Sequence, residues 1–254
     1  LAVRLLREFG ENIGIKRSFV IWDRDDSMRS IKSALKELGT EQEARPILST
    51  ISRKKSEDTR LSEYAAKTRT FYDTTVARVW EKYEAHMKAE GALDFDDLLL
   101  RVHELLQNSE IRALLQKRWT HVTIDEYQDT NAIQYEIARL LTGDGNNICV
   151  VGDLDQCIYT WRQARLENLL LFEKSFPGTK VVLLEQNYRS TQTILTAANA
   201  VIEKNINRHP KRLFTDNPTG DPIVLASHLD EQAEARYVAQ TARELLGSGV
   251  KASE

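Results

Sequence analysis

The sequence predicts an α/β fold in which a long helical region precedes a parallel sheet, and three observations carry that prediction. Residues 121–163 (HVTIDEYQDTNAIQYEIARLLTGDGNNICVVGDLDQCIYTWRQ) hold two short apolar runs, Val122–Ile124 and 148–151, each of which stops at a cluster of acidic residues. An amphipathic segment at 132–141 lies between the runs, the alternation expected of a βαβ unit. Residues 1–118, by contrast, show helical periodicity almost throughout, with no strand pattern longer than residues 19–22. In open parallel sheets ligands sit at the carboxyl ends of the strands, which is where these acids fall.

The bounds set by composition agree with a packed, water-exposed protein. The chain has 254 residues and 41% apolar content, enough for one large or two ordinary domains. Its apolar runs are only a few residues long, so no membrane span is expected, and the first residues lack a signal-peptide cleavage pattern. The net charge of −3 gives no global basic field, so any nucleic-acid binding has to be local. Cys149 and Cys157 are the only cysteines and form no CxxC, which argues against zinc and for a reducing cytoplasm; both read as small buried or half-buried side chains. The chain starts at Leu1, inside a helical pattern and without a Met, as a piece of a longer protein would.

Each element has its local reason. Leu1, Leu5, Leu6 and Phe9 share a helical face, with Gly10 placed to end the helix. Asp25, Asp26 and Ser27 offer N-caps for a helix whose apolar positions are Met28, Ile31, Leu35 and Leu38, ending at Gly39. A helix near 46–52 is followed by RKKSEDTR at 53–60, which reads as a solvated loop. The stripe Tyr72, Val76, Val79, Trp80, Tyr83, Met87 predicts a core-facing helix over 70–90, stopped by Gly91. Helices follow at 94–107, capped by Asp94, and at 112–119. Beyond the strands at 122–124 and 148–151, further strands are expected at 181–184 and 223–226 and helices near 132–141, 166–176, 191–203 and 231–246. Pro177-Gly178 turns the chain, and residues 205–216 form a basic, loop-like patch.

A hydrophobic strand ending in Asp-Glu is the physical layout of a Walker B site, where Asp125 lies near a magnesium ion and Glu126 orients or deprotonates a water. Alone the pair is a weak signal. Here it opens D-E-Y-Q-D-T-N and is followed by G-D-L-D-Q-C-I-Y-T-W-R at the next strand end, then by L-E-Q-N-Y-R-S-T after the third expected strand. At these residues the chain resembles superfamily 1 DNA helicases of the UvrD, PcrA and Rep type, and A-L-D-F-D-D-L-L at 92–99 resembles the family's segment ahead of Walker B. The resemblance implies a partial RecA-like P-loop NTPase sheet carrying an inserted all-helical subdomain. The expected divisions are 1–118 for the helical insert, 119–185 for the back half of the first RecA-like lobe, and 186–254 for the opening of the second.

The same resemblance implies an ATP-dependent motor that uses Mg2+ and acts on single-stranded and duplex DNA in the cytoplasm, at the nucleoid, in repair or replication. Asp125 would hold the magnesium and Glu126 would act on the water. Gln156 would sense the γ-phosphate and relay its state to the DNA-facing residues Tyr159, Trp161 and Arg162. Tyr188 would stack on adenine and Arg189 would act as an arginine finger, a role suited to its planar fork. Gln128 and Asp129 are supporting residues. Other readings stay open: Tyr159 and Trp161 as core aromatics, Arg162 as a brace for its own loop, Tyr188 and Arg189 as caps of the following helix.

The chain departs from the family pattern at Leu154, Cys157 and Gln163, where Asp, Ser and Gly are usual. It also contains no G-x-x-x-x-G-K-[ST]; Gly178-Thr179-Lys180 leads into an expected strand, with Glu173 where the first Gly belongs. The resemblance therefore implies the middle of a helicase whose N- and C-terminal parts lie elsewhere, with this stretch alone inactive. Two other functions compete: a subunit of a helicase–nuclease of the AddA or RecB kind, and a non-catalytic module that binds nucleic acid or protein.

Overall fold

The computed structural model describes residues 1–143, 147–158, 166–205 and 211–252. They divide into two compact units, Leu1–Val181 and Val182–Glu254. The first contains ten helices among its described residues: α1 (Ala2–Phe9), α2 (Arg24–Glu37), α3 (Ala44–Ser56), α4 (Leu61–Ala66), α5 (Phe71–Glu90), α6 (Phe95–Gln107), α7 (Ser109–Arg118), α8 (Ala132–Thr142), α9 (Leu166–Leu170) and α10 (Phe172–Ser175). Four short strands pair in parallel, β1 (Val20–Ile21) with β2 (Ala92–Leu93) and β3 (Val122–Ile124) with β4 (Ile148–Val150). The mixed α/β class is thus as expected, with the β3–β4 pairing located where the sequence places its βαβ unit.

Helix boundaries follow the caps. Thr70 accepts from the Asp73 amide and Asp73 returns the bond, a reciprocal capping box at the start of α5, while Gly91 ends that helix in the left-handed conformation at φ 60°. The expected stripe is core: Val76, Val79, Trp80 and Tyr83 are all buried, with α2, α3 and α4 packed around them. A second core joins α1, α6, α7 and α8 through Leu5, Leu6, Leu105, Leu106, Leu115 and Ile137, so the packing of the helical region continues across residue 118 into α8. A third, small core sits against β3 and β4, made by Tyr127, Phe172 and Phe176.

Several local expectations are corrected. The cap of α2 is Asp23, in a box with Asp26, because its carboxylate reaches the amides of Asp25 and Asp26. Gly10 does end the first helix as its C-cap, in a right-handed conformation at φ −59°, and it also opens a 3-10 turn over Gly10–Ile13 that Gly14 terminates at φ 76°. The segment 53–60 is not a solvated loop. Its first four residues extend α3, and Lys55 is 1% exposed, with Nζ 2.7 Å from Asp94 Oδ2 and 2.8 Å from Asp97 Oδ1. Two acids on the α6 N-terminus therefore decide the fate of a lysine that local composition assigns to water.

Cys149 is exposed because its position in β4, paired with Thr123, faces the uncovered side of a two-stranded sheet. The second unit contains α11 (Gln192–Ile202) and α12 (Glu231–Gly247). The strands expected at 181–184 and 223–226 do not form ladders among the described residues. Their apolar side chains stand in solvent, and the nearest sheet-like contact is a single parallel bridge between Gln186 and Phe214. An extended segment becomes a strand only when a neighbour takes its backbone groups, and neither segment meets one here. No helix among the described residues is long and apolar enough to cross a membrane.

Candidate functional site

Because β3 and β4 run parallel and in register, with Ile124 opposite Val150, their carboxyl ends open side by side. Two further bonds carry the pairing past the strands: the Val151 amide donates to Ile124 O at 2.8 Å and the Tyr127 amide to Val151 O at 2.9 Å. Asp125 and Glu126 lie between these bonds with both side chains exposed. Glu126 adopts a left-handed backbone at φ 50°, a conformation that costs an L-residue roughly 1–2 kcal/mol. That turn sends Tyr127 inward, where its ring meets Phe172 edge-on at 5.6 Å, and brings Gln128 beneath the glutamate.

Much of D-E-Y-Q-D-T-N has structural work. Tyr127 is core, Thr130 donates its hydroxyl to Tyr127 O at 2.7 Å, and Asn131 caps α8 in a box with Gln134. The Asn168 amide of α9 donates to Thr130 O, Thr130 Oγ1 and Asn131 O, fastening the turn from the other side. What remains for chemistry is Asp125, Glu126, Gln128 and Asp129. Gln128 is 1% exposed, and both ends of its amide are used: Nε2 donates to Glu126 Oε2 at 2.7 Å, and Oε1 accepts from the Asp153 amide at 3.0 Å.

The loop after β4 is organised by Asp153. Its carboxylate accepts from the Asp155 amide at 3.0 Å and from Gln156 Nε2 at 2.9 Å, closing a 3-10 turn over Leu154–Gln156. Gly152 is required by close approach rather than by its dihedrals: a Cβ there would lie 2.8 Å from Gln128 Oε1. Cys157 donates its thiol to Gln128 O at 3.5 Å, and burial, reinforced by Asp129 and Glu167, raises its pKa. Leu154, the other described departure from the family pattern, is half-buried in the turn and leaves the Gln156–Asp153 bond in place. Asp125, Glu126 and Gln156 are thus brought together at one edge of the first unit. Tyr159, Trp161, Arg162 and Gln163 lie outside the described residues.

Tyr188 and Arg189 belong to the second unit. Asn187 accepts through Oδ1 from the amides of Arg189 and Ser190, a tight turn that leaves the Tyr188 and Arg189 side chains exposed ahead of α11. Neither caps that helix, whose N-cap is Thr191. The Tyr188 hydroxyl donates to Gln186 Oε1 at 2.8 Å and Asn217 braces the Tyr188 carbonyl, so the turn is held from two sides.

No group of three potential metal-binding side chains occurs among the described residues. A magnesium ion needs no such cage, since it takes one or two carboxylates and completes its shell with phosphate oxygens and water. The exposed Asp125 carboxylate at the end of β3 fits an ion of that kind. Sequence reasoning underrated Gln128, Gly152 and Asp153. All three stand inside the quoted motifs, but their joint role depends on two strand ends meeting.

Residues 1–177 match the family model described as UvrD/REP helicase N-terminal domain, and residues 182–254 match the UvrD-like helicase C-terminal domain. Three similar curated proteins are each called ATP-dependent DNA helicase PcrA. The one from Leuconostoc citreum is 41% identical over 96% of this chain and 33% of its own length. The one from Bacillus subtilis is 41% identical over 98% of this chain and 34% of its own, and the one from Staphylococcus epidermidis 40% over 100% and 35%. The chain therefore spans about a third of the length of the curated relatives it matches. On the extent of these matches, which together cover nearly every residue, the chain belongs to the UvrD/REP helicase family.

Proposed function

We propose that this chain is part of an ATP-driven DNA helicase and contributes the hydrolytic and sensing side chains of its nucleotide site. The observation that carries the reading is the union of Asp125, Glu126 and the Gln156 loop at the adjoining carboxyl ends of β3 and β4. In this reading the β3–β4 pair belongs to a RecA-like P-loop sheet, 1–118 is its helical insert, 119–185 the rest of the first lobe and 186–254 the start of the second. The curated relatives' name supports the activity, and the missing phosphate-cradling motif assigns that part of the site to other residues of the full-length protein.

Asp125 is the residue that would hold magnesium, which when bound neutralises charge on the terminal phosphates. Glu126 accepts a proton from the attacking water, and its carboxylate is held at a fixed angle by Gln128. Gln156 answers to the γ-phosphate through a loop whose geometry Asp153 sets. Tyr188 presents an open ring for adenine and Arg189 a guanidinium for the charge that spreads over the transferred group. Tyr159, Trp161 and Arg162 follow Gln156 by three to six residues, which keeps an aromatic and basic DNA contact close to the sensor in sequence. Single-stranded and duplex DNA are the partners, and the cytoplasm, at the nucleoid, is the compartment.

The test is Glu126→Gln in the full-length protein with saturating single-stranded DNA. Hydrolysis should fall to a residual rate measurable only in single-turnover assays while ATP binding persists, since the amide keeps the shape but neither accepts the proton nor carries the charge. Turnover near the wild-type rate would overturn the assignment. Trp161→Ala should weaken single-strand affinity by about 1–3 kcal/mol, measured by fluorescence anisotropy; unchanged affinity and unwinding would remove Trp161 from the DNA path.

A further inference from the structure

We propose that Gln128 is a positioning residue that ties the orientation of the Glu126 carboxylate to the placement of the 152–156 loop, and so links the sensor Gln156 to the hydrolytic group. The proposal rests on the hydrolytic role given to Glu126 above.

The chemistry of the amide admits one arrangement. A carboxylate can only accept and a backbone N–H can only donate, so the Gln128 nitrogen has to face Glu126 and its oxygen Asp153, as they do at 2.7 and 3.0 Å. A buried amide needs partners for both ends. Satisfaction alone, however, does not require that the donor be committed to a solvent-exposed carboxylate. That bond is charge-assisted, and it fixes a side chain that would otherwise sample several rotamers.

The other end of the amide is equally constrained. Gly152 leaves no room between the loop and Gln128 Oε1, and Leu169 Cδ2 closes the space on a further side, 3.4 Å from the Cβ position of residue 152. Gln156 is bonded to Asp153 twice, side chain to side chain at 2.9 Å and amide to carbonyl at 2.9 Å. A continuous path of bonds therefore runs from Gln156 through Asp153 and Gln128 to Glu126. A displacement of the loop when Gln156 engages phosphate moves the Asp153 amide, turns the Gln128 amide plane and re-aims Glu126. The path is built of contacting groups rather than inferred from proximity.

The experiment uses the full-length protein, ATP and saturating single-stranded DNA, with Gln128→Leu made alone and with Glu126→Gln. Misaiming a reacting group by about 1 Å costs on the order of 10²-fold in rate. Gln128→Leu is expected to lower kcat by that order with the KM for ATP within about twofold of wild type, and to slow the Glu126→Gln enzyme no further. Unchanged kcat, a loss confined to KM, or an equal further loss on top of Glu126→Gln would overturn the proposal. Gln128→Glu keeps an acceptor for the Asp153 amide and puts a second carboxylate, which repels Glu126, where the donor stood. If Gln128→Leu fails to fold, the same kcat loss and the same absence of further slowing are expected of Gln128→Glu, and a wild-type kcat there overturns the proposal. Near-normal turnover by Glu126→Gln alone removes the role of Glu126 and this one with it, whereas an inactive Glu126→Gln beside a wild-type Gln128→Leu removes this one only.

Discussion

Gly152 shows how a single residue can be dictated by a neighbour far along the chain. Adding a methyl group there sets a carbon 2.8 Å from Gln128 Oε1 and 3.4 Å from both the Gln128 backbone nitrogen and Leu169 Cδ2. Gly152→Ala should therefore destabilise the first unit by about 1–3 kcal/mol through overpacking, read as a lower urea midpoint with an unchanged slope. Arg189 makes the opposite case, since its side chain is exposed and little of the fold depends on it. Arg189→Ala should leave the melting temperature within about 2 °C of wild type, as surface substitutions do, yet cut ATP turnover of the full-length protein by on the order of 10³ in single-turnover assays. A normal rate would remove it from the site. The candidate residues themselves were legible in the motifs, because strand ends and turns leave strong local signatures. The tie made by Gln128 was not, because it joins residues 25 positions apart.

At the scale of elements, the joint between α3, α5 and α6 depends on one buried ion cluster. Asp94 uses Oδ1 to cap α6 through the Asp97 amide and Oδ2 to meet Lys55 and the Tyr83 hydroxyl. Burial opposes charge on all of these groups, but the paired Asp94 and Asp97 carboxylates hold the Lys55 ammonium above its ordinary range. Burial likewise works against Asp94, and Lys55 outweighs it, so Asp94 is held below the usual carboxylate range. One cation cannot serve two acids equally, and burial with the nearby Asp94 charge pushes Asp97 up.

The signs give the pH window. Asp94, depressed, contributes stability above the ordinary Asp range and loses it as pH falls through its folded value; Lys55, raised, contributes below the ordinary Lys range and loses it as pH rises through its own. Lys55→Met should cost about 3–5 kcal/mol at neutral pH, because it leaves two buried carboxylates without a cation. In that variant both acids become easier to protonate, so the deficit relative to wild type should shrink between pH 8 and pH 5 in urea melts. A deficit that is constant with pH would mean that lost packing, not charge, is the cause.

For the whole chain, the expectation concerns surface and completeness. Val182, Leu184, Val224 and Leu225 are between 64% and 96% exposed, an extended apolar surface without ladder partners among the described residues. Surface of this kind marks a contact site. The purified 254-residue chain should therefore self-associate as concentration rises, visible by light scattering, and should show no ATP hydrolysis with or without DNA, since it holds no glycine-rich loop and lysine to cradle phosphates. DNA-stimulated hydrolysis by this chain would require another phosphate-binding element within it.

What the sequence determined by itself is whatever short-range chemistry decides: the α5 span from Thr70 to Gly91, the Asp94 cap of α6, the βαβ alternation that ends β3 and β4 in acids, and the motifs that lead to the family. Caps, periodicity and turns act within a few residues, so they can be read along the chain. Tertiary structure alone decided that Lys55 is buried, that β1 finds a partner in β2, that residues 181–184 and 223–226 meet no ladder partner among the described residues, and that Gln128 holds Glu126 and the Asp153 loop at once. Burial and pairing are properties of neighbours brought from elsewhere in the chain, and a window of sequence contains only one side of each such contact.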